Sequence, residues 1–204
     1  MQLKRSMEES FKDLPVLHFK NQREWDRWLR KNHTRGTGIW IQLAKKESKI
    51  PSLTYAEALD VALCYGWIDS QKQKYDDSYW LQKFSIRGPK SIWSKINREK
   101  AETLILEKRM KASGLQAVES AKKDGRWEAA YDSQSKIEVP KDFEKLLKKN
   151  PDAKKFFESL DSANRYAILF RLHHTKKEDT RIKKMEQWIE MFKRKETIHN
   201  PTKK

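Results

Sequence analysis

Apolar residues in this chain recur at two spacings, and the change from one to the other sets the expected architecture. Trp25, Trp28 and Leu29 fall at i, i+3 and i+4, which predicts a first helix over residues 22–31. Gly36 and Gly38 break the pattern. The run Gly38-Ile-Trp-Ile-Gln-Leu-Ala44 then alternates, with Ile39, Ile41 and Leu43 on one side, and its β-branched and aromatic residues predict a strand. Thr54-Tyr-Ala-Glu57 has the form of a capping box, in which the Thr hydroxyl serves an orphan helix N–H and the Glu reaches back to the cap. The helix it opens turns Ala58, Leu59, Ala62 and Leu63 inward and ends at Tyr65, where Gly66 suits a left-handed terminal residue. Residues 67–70 and 79–86 read as extended chain, the second with Trp80, Phe84 and Ile86 on one face. With Asp76 and Asp77 between them, they form an expected hairpin beside the 38–44 strand, in a small antiparallel sheet.

Beyond the turn at residues 87–90 the helical spacing returns. Ser94 is the expected N-cap of a helix reaching about Met110, with Ile96, Ala101, Leu104 and Ile105 inward. A short helix spans residues 114–123 and closes at Gly125. Residues 126–139 are less regular and mark the expected boundary between two halves. From Pro140 onward every apolar stripe is helical: Phe143, Leu146 and Leu147; then, after Pro151, Phe156, Phe157 and Leu160; then, after a cap at Ser162, Tyr166, Leu169, Phe170 and Leu172; and finally Ile182, Met185, Trp188, Ile189 and Phe192. The expected class is α+β, a small antiparallel sheet with flanking helices followed by a C-terminal helical bundle. Its expected divisions are a flexible lead-in at 1–16, an α+β domain at 17–138, a helical region at 139–197 and a flexible tail at 198–204.

Composition narrows this picture. Eight Trp, eight Phe and six Tyr in 204 residues exclude disorder throughout, because such a chain can bury a large apolar surface. The one cysteine, Cys64, excludes an intramolecular disulfide and a Cys-based zinc site, and its place in a helical stripe marks it as a small buried hydrophobe. Met1 to Ser10 holds no apolar run of the secretory kind, and no stretch nears the roughly 18 apolar residues of a membrane helix, so the cytoplasm is the expected location. The five His residues are scattered; His173 and His174 are adjacent, which on a helix turns their rings about 100° apart. No metal site, cofactor motif or catalytic signature emerges. Forty-five basic against 29 acidic residues leave a net charge of +16, a field that favours nucleic acid or another polyanion as partner. Acidic residues are interspersed almost everywhere, however, so pairs such as Lys148-Lys149 and Lys183-Lys184 also read as solvated helix surface.

Two segments carry candidate chemistry. In Trp67-Ile-Asp69-Ser70 a carboxylate and a hydroxyl follow a helix-to-strand turn; Asp69 could act as a general base, accept hydrogen bonds from a cationic ligand, or brace Arg87 or Arg98. In Lys90-Ser-Ile-Trp93-Ser94-Lys95-Ile-Asn97-Arg98, cations and hydroxyls gather at a helix start whose free N–H groups could hold an anion, with Trp93 stacking on a base or sugar. The bland alternative places Trp93 in the core. The candidate ligand or anion site is therefore Trp67, Asp69, Ser70, Arg87, Lys90, Trp93, Ser94, Asn97 and Arg98. Seven of the eight tryptophans lie between residues 25 and 127, within the expected α+β domain, as core or as the lining of an aromatic cleft.

Several of these stretches also carry a resemblance. Cys64-Tyr-Gly-Trp-Ile-Asp-Ser70, Arg87-Gly-Pro-Lys-Ser-Ile-Trp-Ser-Lys-Ile-Asn-Arg98, Asp124-Gly-Arg-Trp-Glu-Ala-Ala-Tyr131, and Asn164-Arg-Tyr-Ala-Ile-Leu-Phe-Arg-Leu172 followed by Thr180-Arg181 resemble, in order and spacing, the motifs of the YdeI/OmpD-associated family, over roughly residues 20–195. The resemblance implies a non-enzymatic role in protection against bacteriocins or cationic antimicrobial peptides, or in stress tolerance, and brings no catalytic residues with it. A nucleic-acid- or anion-binding module using the basic helices is the alternative, and a small-molecule enzyme centred on Asp69 the third reading.

Overall fold

The computed structural model describes residues 9–199. They fall into two compact units: the residues up to Trp93 together with Asn97–Ala130, and Ser94–Ile96 together with those from Tyr131 onward.

The first unit contains β1 (Ser10–Phe11), β2 (Leu14–His18), α1 (Gln22–Asn32), β3 (Ile39–Ala44), α2 (Tyr55–Cys64), β4 (Trp67–Lys74), β5 (Tyr79–Ile86), most of α3 (Lys95–Leu106) and α4 (Ala112–Lys123). The class is α+β, and the sheet is mixed, in the order β1-β2-β3-β5-β4. β3, β4 and β5 pair antiparallel as the alternation suggests, but β2 runs parallel to β3. Parallel neighbours need a crossover, and α1 supplies it. β1 and the first part of β2 occupy residues assigned from the pattern to a loose lead-in at 1–16. Their hairpin joins Phe11 to Leu14 through Lys12 and Asp13, both at positive φ (50° and 61°). Two-residue hairpin turns of this kind are normally marked by Asn-Gly or Asp-Gly, so Lys-Asp leaves the turn invisible to pattern reading. Residues 1–8 of the expected lead-in lie outside the described residues.

Ile39, Ile41 and Leu43 stand opposite Phe84, Gln82 and Trp80, which places all six side chains on one face. That face meets Trp25 and Leu29 of α1 and Ala58, Leu59 and Ala62 of α2 in the main core. Trp40, Val16 and Leu81 form a smaller cluster on the other face. A bulge between Asp69 and Lys72 adds one residue to β4, so Asp69 and Lys72 both end on the α-helical side. Five of the seven amino-terminal tryptophans are buried and Trp28 and Trp80 are half-buried, so they build core rather than line a cleft.

The Thr54–Glu57 capping box forms with both of its bonds, and Gly66 takes φ 74°. α4 begins directly against the end of α2. A Cβ on Gly114 would lie inside contact distance of the Cys64 carbonyl oxygen and 2.9 Å from that of Leu63. Ile96 departs from its expected place: it is exposed at 48% rather than turned inward.

The second unit holds α5 (Lys141–Lys148), α6 (Pro151–Ser159), α7 (Ser162–His173) and α8 (Glu178–Lys193) around Phe143, Phe157, Ile168, Leu169, Leu172, Trp188 and Phe192. The cap of α7 is Asp161 rather than Ser162; its carboxylate accepts from Asn164 N at 2.7 Å. Buried Asn164 in turn exchanges two hydrogen bonds with the backbone of His199, which anchors a residue expected to belong to a loose tail. Residues 200–204 of that tail lie outside the described residues. Arg181 grips Asp142 with two bonds, Nε to Oδ2 at 2.5 Å and Nη2 to Oδ1 at 3.0 Å, and donates a third to the Leu172 carbonyl.

Two outcomes follow. Replacing a mid-helix Gly by Ala normally gains about 1 kcal/mol; Gly114→Ala is expected to reverse that sign and cost about 1–3 kcal/mol through overpacking, read as a lower urea midpoint. The Arg181 guanidinium holds the Asp142 carboxyl below its ordinary pKa. Its stabilisation is therefore complete above the unfolded-state pKa and lost as pH falls through the lower folded value. Urea midpoints of Asp142→Asn measured down a pH series are expected to start below wild type near neutrality and converge with it in acid.

Candidate functional site

The residues singled out from the sequence divide into two groups of contacts. Gly66 turns the chain into β4 and sends Trp67 into the core, where its Nε1 donates to His33 O at 2.8 Å. Asp69, two residues on, is half-buried and accepts from Tyr55 Oη at 2.8 Å, a partner the sequence did not suggest. Tyr55 stands 6.2 Å from Trp80, and Lys72 Nζ lies 4.3 Å over the Trp80 ring. Ser70 is exposed at the bulge.

The second group braces the chain after β5. Arg87 N bonds Gly66 O at 3.0 Å, tying the start of this segment to the β4 turn. The Arg87 guanidinium packs 3.5 Å over Trp93 and donates to Ile92 O. Trp93 is 1% exposed and meets Trp127 edge-on at 4.8 Å, so its ring fills core and offers no surface for stacking a base. Arg98 donates to Trp127 O, and Arg126 donates to Ser91 O. These cations serve carbonyl groups of the chain itself. Lys90 is exposed and Asn97 half-buried. In the second unit Ser94 forms a backbone bridge with Tyr131, and Lys95 pairs with Asp132 at 2.8 Å.

A cleft that the sequence reading missed lies in the first unit. α1 and α2 run in the same direction: Trp25 Nε1 donates to Ala58 O near their starts, and the His33 and Tyr65 rings meet at their ends. Beside them the α3–α4 connection is held by Lys111 N donating to Cys64 O at 2.9 Å. The space between encloses about 760 Å³. Arg23, Asp26, Arg27 and Arg30 line it from α1, Glu57, Asp60, Val61 and Cys64 from α2, and Lys108, Arg109 and Lys111 from the connection. The arginines recur at i, i+4 and i+7, the face of α1 opposite Trp25 and Leu29, so the helix period that buries one side lays a cationic ridge roughly 10 Å long on the other.

Charge in the cleft is unevenly matched. Asp26 binds Arg30 (3.1 Å) and the Tyr65 hydroxyl (3.0 Å), Asp60 binds Lys100 (2.7 Å), and Arg109 binds Glu107 (3.0 Å). Glu57 accepts from Thr54, and that bonding lowers its carboxyl pKa. Arg23, Arg27, Lys108 and Lys111 have no counter-ion among the described residues. Lys108 also holds the left-handed position (φ 57°) of a helix terminus closed by Lys108 N to Ile105 O and Arg109 N to Leu104 O, a place usually given to Gly. At the floor, burial pushes the Cys64 thiol up to about 11, against the smaller opposing pull of Arg109 and Lys111. The signal available in the sequence was the Arg23/Arg27/Arg30 spacing; the approach of Lys108 and Lys111 to it was not.

Comparison with known proteins divides the chain in a similar way. Residues 17–117 match a family model described as a domain of unknown function (DUF8412), and residues 136–195 match one described as Bacteriocin-protection, YdeI or OmpD-Associated. The family read across residues 20–195 is thus matched in its carboxy-terminal part, while the Cys64–Ser70 and Arg87–Arg98 motifs and the whole cleft fall under the other description. No curated protein and no solved structure matches the chain. Among the described residues no three of His, Cys, Asp and Glu gather as metal ligands, and no helix is long and apolar enough to cross a membrane.

A buried thiol with a raised pKa presents little thiolate near neutrality. Cys64 is expected to react with a disulfide reagent at pH 7 orders of magnitude more slowly in the native chain than in urea. Equal rates in the two states would show that the thiol is accessible and activated.

Proposed function

We propose that this protein binds an anionic ligand in the cleft between α1 and α2, and that it does so in the cytoplasm as a protective or stress-related factor of the YdeI/OmpD-associated kind. The protective setting rests on the description of the family matched at residues 136–195. The binding chemistry rests on a different segment and a separate observation: four cations lining one cleft, each without a counter-ion among the described residues.

Like charges held together without an anion repel one another, and a bound anion removes that cost while gaining charge-assisted hydrogen bonds. Arg23 and Arg27 offer planar forks suited to phosphate or carboxylate, and Lys108 and Lys111 add rotatable point charges from the other side. Lys111 is also the N-cap residue of α4, a helix with no side-chain cap bond, so the positive end of that helix dipole adds to the same field. By contrast, the cations near Ser94 that first suggested an anion site are largely spent: Lys95 on Asp132, Arg98 on Trp127 O and Arg87 on Trp93 and Ile92 O.

Titration calorimetry with inorganic pyrophosphate is expected to show binding at low salt that weakens steeply as salt is added. The double variant Arg27→Ala/Lys111→Ala should bind at least about tenfold more weakly, with an unchanged unfolding midpoint because both side chains are exposed. Absence of binding by the wild-type chain at low salt, or equal affinity in the variant, would overturn the proposal.

A further inference from the structure

The charge pattern of the cleft also bears on what kind of anion it takes. Resting on the anion-binding reading above, we infer that the ligand is a phosphorylated polyol, either a sugar phosphate or the ribose-phosphate part of a nucleotide, and not a nucleic-acid strand.

Carboxylates share the cleft with the uncountered cations. Asp60 Oδ1 accepts from Lys100, and Glu57 Oε2 accepts from both the amide and the hydroxyl of Thr54. The second oxygen of each takes no hydrogen bond among the described residues. An ionised carboxylate can only accept, and both side chains are partly exposed, so a ligand lying along α2 can engage these oxygens only through hydrogen-bond donors of its own. Hydroxyl groups do this; a run of bare phosphates would be repelled.

Size and lining agree. The volume of about 760 Å³ falls within the range of small-molecule sites, roughly 300–1,000 Å³. Proteins that hold single strands use aromatic platforms along a cationic track, and no Trp, Tyr or Phe lines this cleft. Val61 and Cys64, one helical turn apart and both buried, give the floor an apolar strip against which the carbon face of a sugar can lie. The phosphate end then lies toward Lys108 and Lys111, and the hydroxyl end toward Asp60.

The test is calorimetry on the full chain with four probes: ribose 5-phosphate, ATP, inorganic pyrophosphate and single-stranded oligothymidylate. Ribose 5-phosphate or ATP is expected to bind more tightly than oligothymidylate and to be displaced by pyrophosphate; which of the two binds better separates a sugar phosphate from a nucleotide. Asp60→Asn gives a difference in sign. It is expected to weaken the polyol ligand about tenfold through loss of a charged acceptor, and to leave pyrophosphate binding equal or tighter because a negative charge has gone. Lys108→Gly is expected to weaken both probes while keeping or raising the thermal midpoint, since Gly relieves the left-handed backbone at that position; this distinguishes loss of a contact from loss of the fold. If oligothymidylate binds best, or if Asp60→Asn strengthens every probe alike, the polyol inference is overturned and the anion-binding reading stands. If pyrophosphate fails to bind as well, both fall.

Discussion

The close approach of α4 to the end of α2 is the constraint on which the cleft depends. Gly114 has no side chain, so the start of α4 can rest on the carbonyl groups of Leu63 and Cys64. Gly66, at positive φ, turns the chain away just beyond, where an added Cβ would meet Ser113 O at 2.9 Å. With two backbones in contact, Lys111 N reaches Cys64 O, and the connection carrying Lys108 and Lys111 is fixed beside α2. A larger side chain at either glycine would push that connection outward and open the cleft. Gly66 also turns the chain into β4, and hence places Trp67 and Asp69.

A net charge of +16 says little by itself about where an anion would bind. Part of the basic surface is answered locally, by helical pairs such as Lys148–Glu144 and Lys193–Glu190, by the Arg181–Asp142 clamp, and by the arginines that bind backbone carbonyls around Trp93 and Trp127. The exposed helical pairs among these contribute little to stability. The cleft between α1 and α2 gathers Arg23, Arg27, Lys108 and Lys111 in one concave site and combines them with carboxylates that retain a free lone pair.

The two units carry different information. The carboxy-terminal helices hold the match to the family described by bacteriocin protection, around an apolar core with the buried, fully engaged Asn164 at its edge. The amino-terminal unit holds the cleft under a description that names no function. The protective role proposed from one unit and the binding chemistry proposed from the other are each open to test without the other.

The sequence alone determined the elements whose cause is local. The spacing of Trp25 and Leu29, the alternation of Ile39, Ile41 and Leu43, the Thr54–Glu57 box and the terminal Gly66 each act within a turn or two, so the α+β class and the tryptophan-rich core were legible. The β1–β2 hairpin was not, because Lys12 and Asp13 adopt positive φ without the residues that usually mark it. The parallel β2–β3 pair was not, because partner choice across a crossover is a long-range event. Asp69 was recognised as a polar group in need of a partner, but only packing decided that the partner is Tyr55. The cleft shows the same division: the period of α1 puts three arginines on one face, while their meeting with Lys108 and Lys111, some eighty residues away in sequence, depends on backbone contact between two helices. Periodicity is a property of neighbours along the chain, whereas a site that gathers distant charges exists only once the chain has folded.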